Sequence, residues 1–407
     1  LANETTPHTI QIANTGLAKF SHIAPGNHPR TAAIKKVVLL NEIAGSKACR
    51  TEMNRTCIAS TWVLALVLGT TVAGQNPPPD LYPMGKNDKL GFIDRSGREV
   101  IPAQFSTAAG ATVFREGIAN VGVTGGWTYI DGSGKFIVES KFWWAYPFSE
   151  GYACVLLPGE GAGYGFIDKT GRLLIKGLRA PSVFHDGLAP ISLGSKWGYL
   201  GTDMHMAIPA QFDFAASFSE GMAPVQVGEK WGYIDKSGQI AVQPKYDITM
   251  PFRNGLGMVK IFFERRPLVG EIGMEGQTTY DVHLWGFVDQ RGAEVLAPKF
   301  LEATDFSEGY AFVVASDGTK LFGIIDKSGK YVHEPAFDQA TPFSESLAAV
   351  RAGEKWGYVD HDDRWAIPPN LAHAEPFWHG LARVEFERGR WSYIDKSGSV
   401  VWQNQSK

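Results

Sequence analysis

The chain has 407 residues, with 39 Lys and Arg against 42 Asp and Glu, for a formal charge of -3. No global field therefore draws it toward nucleic acid or an anionic membrane. Hydrophobic residues make up 44% and charged residues 20%, too apolar for general disorder, while 46 glycines and 12% aromatics point to short strands joined by glycine turns rather than to helices.

Residues 1–52 carry no helical or strand period, and the chain opens on Leu1. At Met53 the character changes. A short positive start at Arg55 precedes an apolar run from Cys57 to Leu68, and small residues follow at Val72, Ala73 and Gly74. This is the pattern of a secretory leader, too short for a spanning helix, so residues 53–74 are predicted to be a signal peptide with Met53 as the true start and no stable membrane anchor. The expected location is secreted, periplasmic or cell-surface. Residues 75–83 form a stiff linker rich in proline, at Pro77, Pro78 and Pro79. Cys49 and Cys57 precede the predicted cleavage, which leaves Cys154 without a disulfide partner and, in its apolar run, a buried hydrophobe rather than a nucleophile.

From residue 90 one phrase recurs nine times. It reads Leu-Gly-Phe-Ile-Asp at 90–94, Trp-Thr-Tyr-Ile-Asp at 127–131, Tyr-Gly-Phe-Ile-Asp at 164–168, Trp-Gly-Tyr-Leu-Gly at 197–201 and Trp-Gly-Tyr-Ile-Asp at 231–235. It continues with Trp-Gly-Phe-Val-Asp at 285–289, Phe-Gly-Ile-Ile-Asp at 322–326, Trp-Gly-Tyr-Val-Asp at 356–360 and Trp-Ser-Tyr-Ile-Asp at 391–395. The spacing is near 35 residues, broken once between 235 and 289, and such self-similarity marks a repeat architecture. A turn follows each phrase, as in Asp235-Lys236-Ser237-Gly238, where Asp caps backbone N–H groups and Gly takes positive φ to close a hairpin. The next strand is short and is expected to stop at proline: Pro102, Pro209, Pro244, Pro298, Pro335, Pro368. A second phrase, Phe-Ser-Glu-Gly at 148–151, 218–221 and 306–309 with looser versions elsewhere, leads into an alternating Ala-x-Val strand. Each unit is thus three strands. The fourth copy, Gly201-Thr202-Asp203-Met204, lacks the turn chemistry and is expected to carry a distorted hairpin.

These paired phrases resemble the WG-repeat proteins of bacteria over about 84–402. Leu90, Tyr164 and Phe322 replace Trp, Gly201 replaces Asp, and Ser346 replaces the phrase-ending Gly. The resemblance implies a non-catalytic β-repeat array, often in exported or surface proteins, and implies no ligand. The predicted fold is all-β: a tandem array of about nine three-stranded antiparallel units over 84–402, an open solenoid or superhelix, with a closed β-propeller as the alternative, followed by a tail at 403–407. Nine units exceed the usual propeller, which favours the open form.

Catalytic signals are sparse. The repeated Asp-Lys-Ser-Gly does not match a protease Asp-Ser-Gly element, one Asp per turn is too few for calcium, and no zinc, phosphate-loop or nucleophile-elbow pattern is present. No cofactor or metal is expected. The phrase Trp residues, such as Trp231, are expected to pack between units. Candidate binding residues lie off the pattern: the doublet Trp143 and Trp144, and the insertion 262–283 with Glu264, Arg265, Arg266, Tyr280 and His283, predicted to be a surface loop. The expected function is an exported non-catalytic scaffold presenting an extended surface to a protein or glycan and not to nucleic acid. The alternative is an enzyme with its site around 262–283.

Overall fold

The computed structural model describes residues 80–404 apart from 107–111, 140, 160 and 268–278. The predicted leader at 53–74 with Cys57, residues 1–52 with Cys49, and the end of the tail lie outside the described residues. Leu81 and Tyr82 are buried, so the end of the stretch predicted as a linker, 75–83, belongs to the core.

The described residues form an all-β array of nine units, each an antiparallel meander. Unit five is typical, with strands Met222–Val227, Lys230–Asp235 and Ile240–Tyr246. Alternation sends successive side chains to opposite faces, and both faces are apolar. Ala223, Val225 and Ile234 pack on Tyr199, Ile208 and Phe212 of unit four. Met222, Tyr233, Val242 and Tyr246 pack on Phe252, Val259 and Val288 at the other face, toward unit six. The units are therefore stacked face to face, and full burial of each large side chain contributes roughly 1.5–3 kcal/mol.

The Trp-Gly dipeptide has a steric origin. A Cβ on Gly232 would lie 2.3 Å from the Val242 carbonyl oxygen of the neighbouring strand. In unit two, where Thr128 stands at this position, its Oγ1 donates to the Val138 carbonyl at 2.6 Å.

The prolines do not end the third strand, as the sequence suggested, but lie inside it: Pro244 falls within Ile240–Tyr246 and Pro209 within Met206–Phe212. Pairing jumps from Tyr233 with Val242 to Trp231 with Tyr246. The proline sits in that bulge, where the ladder requires no N–H. The fourth hairpin is also regular. Gly201 and Met204 make the same backbone bonds as Asp235 and Gly238, because Met204 adopts φ 63°.

The Phe-Ser-Glu-Gly phrase forms a tight turn with both central residues at positive φ, 53° at Glu220 and 79° at Gly221. Ser219 and Met222 exchange backbone hydrogen bonds across it, as a two-residue hairpin requires. These turns are bolted to one another. The Gly221 N–H donates to Asp186 at 2.7 Å and the Gly255 N–H to Glu220 at 2.8 Å, while Ser219 Oγ donates to the Phe252 carbonyl at 2.7 Å.

Successive units are also joined by backbone pairing just past the third strand. At five junctions a two-residue strand such as Phe214–Ala215 pairs with the first strand of the next unit. At the other three junctions within the chain, Ser106 pairs with Gly122, Arg179 with Ser192, and Phe300 with Ala315.

Units one and nine are in contact. Tyr82, Met84 and Ile93 share a core with Leu381 and Tyr393, and Tyr82 meets both Trp378 and Tyr393 edge-on at 5.6 Å. Each phrase tyrosine of units two, four, five and eight donates its hydroxyl to a carbonyl of the following unit, for example Tyr233 to Met250 at 2.7 Å. Tyr393 repeats that bond with Pro83 at 2.9 Å. Of the two arrangements open to the all-β array, these contacts select the closed ring over the open solenoid. Each unit offers two apolar faces, and meeting its own first unit is how the last one covers its outer face.

Candidate functional site

The insertion at 262–283 is not an irregular loop. Its two limbs continue the first hairpin of unit six as a ribbon, Gly257–Pro267 paired with Thr279–Val288. Extension follows from composition: Phe262, Phe263, Tyr280 and Val282 favour strands, and Arg265 can face Asp281 across the ladder. The register shifts between Phe262 and Glu264, so Phe263 is the bulged residue.

The candidate charges within the ribbon are engaged with one another. Arg265 Nε donates to Asp281 at 2.6 Å, Arg266 pairs with Glu264, and His283 Nε2 lies 3.9 Å from an Asp247 oxygen at the ribbon base. The Asp281 carboxyl is held low by its hydrogen bond from Arg265. Three aromatics are left outward: Phe262 is 46% exposed, Phe263 54% and Tyr280 46%. Chemically this is an apolar contact surface with its charges internally balanced.

Trp143 and Trp144 lie three units away, at the start of unit three, with Trp144 opposite Leu156 near the corresponding hairpin end. Trp143 is 56% exposed. Trp144 leans on Trp127 at 4.8 Å, so the doublet divides into one packed and one free ring. The phrase tryptophans divide: Trp127 and Trp356 are buried members of the core, whereas Trp197, Trp231, Trp285 and Trp391 are half-buried at its flank. Trp197 and Trp231 flank Phe214 at 4.7 and 5.5 Å, whereas the fully buried positions belong to the phrase tyrosines Tyr129, Tyr199, Tyr233 and Tyr358. The structure thus joins Glu264, Arg265, Arg266, Tyr280 and His283 on one ribbon and leaves Trp143 and Trp144 apart.

Sequence reasoning missed Phe262 and Phe263, whose signal was adjacency to the break in period. It also missed the partly buried ion pair of Arg253 with Asp305 and the neighbouring charges of Lys260 and Glu302. Burial pushes Lys260 down and Glu302 up, each felt by the other's charge, and burial raises Asp305 against the opposing charge of Arg253 at 3.1 Å. Cys154 is fully buried and burial pushes its thiol far up, which suits a packing role. Among the described residues no group of three or more His, Cys, Asp or Glu is placed to hold a metal ion.

A second kind of contact links the hairpin turns to the Glu-Gly turns. In units three, six, seven, eight and nine the residue after the turn-capping Asp reaches back to the turn that opens the preceding unit. Lys169 Nζ meets Glu116 at 2.9 Å, His361 Nε2 meets Glu308 at 2.8 Å, and Lys396 Nζ meets the Glu345 carboxylate at 3.2 Å. Gln290 and Lys327 donate to the carbonyls of Glu220 and Asn254 at 2.8 and 2.7 Å.

Comparison with known proteins places these features. No curated protein matches the chain. Among solved structures, one described as a eukaryotic initiation factor superposes with a TM-score of 0.55 at 10% identity, covering 80% of this chain and 98% of its own. BamB from Moraxella catarrhalis gives a TM-score of 0.32 at 10% identity, covering 81% of this chain and 85% of its own. At such identity the first likeness is one of fold alone. The family described as "WG containing repeat" matches residues 91–126, 127–157, 197–231, 231–261, 285–317, 322–356 and 356–390. With more than half of its residues in those segments, the chain belongs to the WG-repeat family.

Proposed function

We propose that the protein is an exported, non-catalytic scaffold that engages a protein partner through the ribbon of unit six. The observation that carries this reading is the outward set Phe262, Phe263 and Tyr280 on an extension that breaks the period of an otherwise regular ring. Aromatic side chains supply large contact area at low entropic cost, and the ribbon edges beyond Phe262 offer unpaired backbone to an incoming strand. Export is supported by the leader pattern at 53–74.

The test replaces residues 262–283 with the short Val-Gly-Glu-Lys connection of 227–230. Partners captured by the intact protein are identified, purified and titrated against both proteins, with a glycan and peptidoglycan panel run in parallel. The expected result is loss of affinity for a protein partner with the ring still folded. Unchanged affinity, or binding confined to glycans, overturns the reading.

A further inference from the structure

We propose that the open edge of the first strand of unit one, at Pro83 and Gly85, binds an extended strand of a partner protein by backbone pairing. It lies on a different unit from the ribbon and does not depend on the function proposed for it.

The repeat defines the place in every other unit. In each of units two to nine one position of the first strand is paired with the chain that enters the unit, on the side away from the phrase strand. In unit five it is Gln226, opposite Trp231 on one side and Phe214 on the other. Gly85 is that position in unit one, since it stands opposite Leu90 as Gln226 stands opposite Trp231. Strand Tyr82–Lys86 is the edge of its sheet, and among the described residues no strand pairs with the other side of Gly85.

The groups that would make the bonds are identified by the filled units. The Asp213 N–H donates to the Gln226 carbonyl and the Ala216 N–H to the Pro224 carbonyl, both at 2.9 Å, and Asp338 and Thr341 repeat the pair in unit eight at 2.8 and 2.9 Å. In unit four the Ser192 N–H donates in turn to the Arg179 carbonyl at 3.2 Å. The counterparts are the carbonyls of Gly85 and Pro83 and the N–H of Gly85. Pro83 already accepts the Tyr393 hydroxyl, which leaves its carbonyl a second lone pair. Unit six shows both bonds together: the Met258 carbonyl takes the Met250 N–H at 2.8 Å and the Tyr233 hydroxyl at 3.2 Å. A strand edge with such groups open is a template for an incoming strand.

The occupant comes from another chain because the approach to unit one differs in sequence from that to unit five. Tyr82 matches Ala223 in register, so Pro77, Pro78 and Pro79 stand where Phe218, Ser219 and Glu220 form the entry turn. Glu220 takes φ 53° there, whereas a proline ring holds φ near about −65°. The turn that brings each entering segment back onto its own first strand cannot be built from these residues. The filled units also state what the incoming strand carries: a small side chain facing inward, as at the buried Ala145, Ala215 and Ala374.

The probe is the acetylated and amidated peptide Asp-Gln-Ala-Thr-Pro, the sequence of residues 338–342, titrated into the full chain while following the amide resonances of Gly85 and Lys86. A saturable shift is expected at a Kd on the order of millimolar. The same peptide N-methylated at its threonine loses the donor to Pro83 and should bind about tenfold more weakly, the scale of one backbone hydrogen bond. Gly85→Ala, whose Cβ would meet nothing within 4 Å, should bind as the parent does. Gly85→Pro, which removes the outward N–H, should abolish the shift at Lys86. No saturable shift, or one that N-methylation leaves unchanged, overturns the proposal. It is equally overturned if, without peptide, the Gly85 resonance moves with protein concentration, which assigns the edge to a second copy. Protection of the Gly85 amide from solvent exchange in the dilute chain overturns it as well, by assigning the edge to the chain's own residues.

Discussion

Asp363 pairs with His333 across the junction of units seven and eight, where other turns set a glycine against an aliphatic side chain. Elsewhere Gly238 sits on Ile208, Gly329 on Leu296 and Gly398 on Ile367. Here both partners have changed together, and Asp363 takes the glycine-like φ of 59°. One of its oxygens is buried without a hydrogen-bond partner.

The double replacement His333→Ile with Asp363→Gly restores the contact made at other junctions and relieves the backbone. It should be at least as stable as the parent, by up to about 1 kcal/mol, since apolar replacement of a partly buried pair is often neutral or favourable. Either single change should cost about 1–2 kcal/mol by leaving one polar partner against an aliphatic or empty site. Urea melts of the four proteins as a cycle check this. Additive single effects would show that the two residues do not act as a pair.

Two glycines of one hairpin should fail for different reasons. Gly232→Ala forces a Cβ into the Val242 carbonyl and should cost roughly 2–4 kcal/mol, within the range of overpacking and strain. Gly238→Val combines φ 84° with a Cβ 2.8 Å from Ile208 Cγ2 and should cost more than ~1 kcal/mol. Asp235→Asn keeps an acceptor for Ser237 and Gln239 and should cost less than either. Denaturant midpoints rank the three.

Acid should act through the turns. Hydrogen bonds from the neighbouring serine lower the carboxyls of Asp94, Asp131, Asp235, Asp326 and Asp395 below the ordinary aspartate value of 3.8. A depressed folded value means stability that is present above 3.8 and lost as pH falls through the folded values. Asp363 is raised by burial and has the opposite sign: its contribution is full below 3.8 and fades as pH rises through its folded value. Asp168, Asp213, Asp281 and Asp317 are lowered as well, while Glu302 and Asp305 join Asp363 among the raised carboxyls, so with nine lowered against three raised among the described residues the urea midpoint should drop below about pH 4. Asp235→Asn should flatten that slope, and an unchanged slope would exclude the turns as its source.

Closure should be measurable at Tyr393. Tyr393→Phe removes the donor to Pro83 and should cost about 1 kcal/mol, as should Tyr233→Phe, which removes the donor to Met250 at an internal junction. Tyr82→Ala, which empties the contact with Trp378 and Tyr393, should cost about 3–5 kcal/mol and speed proteolysis of residues 80–86. A Tyr82→Ala protein with parental stability would mean that the ends do not meet in solution.

Much of the fold was legible because the repeat states its local rules nine times. The phrase strands, the aspartate-capped turns and the three-strand unit follow from the spacing of Trp231, Asp235 and Gly238. Closure was not legible. It depends on whether Tyr82 reaches Tyr393, a contact between residues 311 positions apart that no local pattern encodes. The bulge at Pro244 escaped for a related reason: proline was read as a strand end, while the register shift that accommodates it belongs to a pair of strands. At the ribbon, periodicity located the departure and named Arg265 and Arg266 as candidate binding residues, but their engagement by the facing Asp281 and by Glu264 depends on the pairing of two limbs that sequence reading took for a loop.

The eight junctions within the chain share backbone hydrogen bonds, but among the described residues no strand pairing crosses from unit nine to unit one. The ring is therefore a clasp bracelet rather than a seamless band. Under tension applied at residues 82 and 402, the aromatic fastening of Tyr82, Trp378 and Tyr393 bears the load first. It should slip at low force as a discrete step before any unit unravels, converting the circle into a linear chain of nine units still joined at eight hinges.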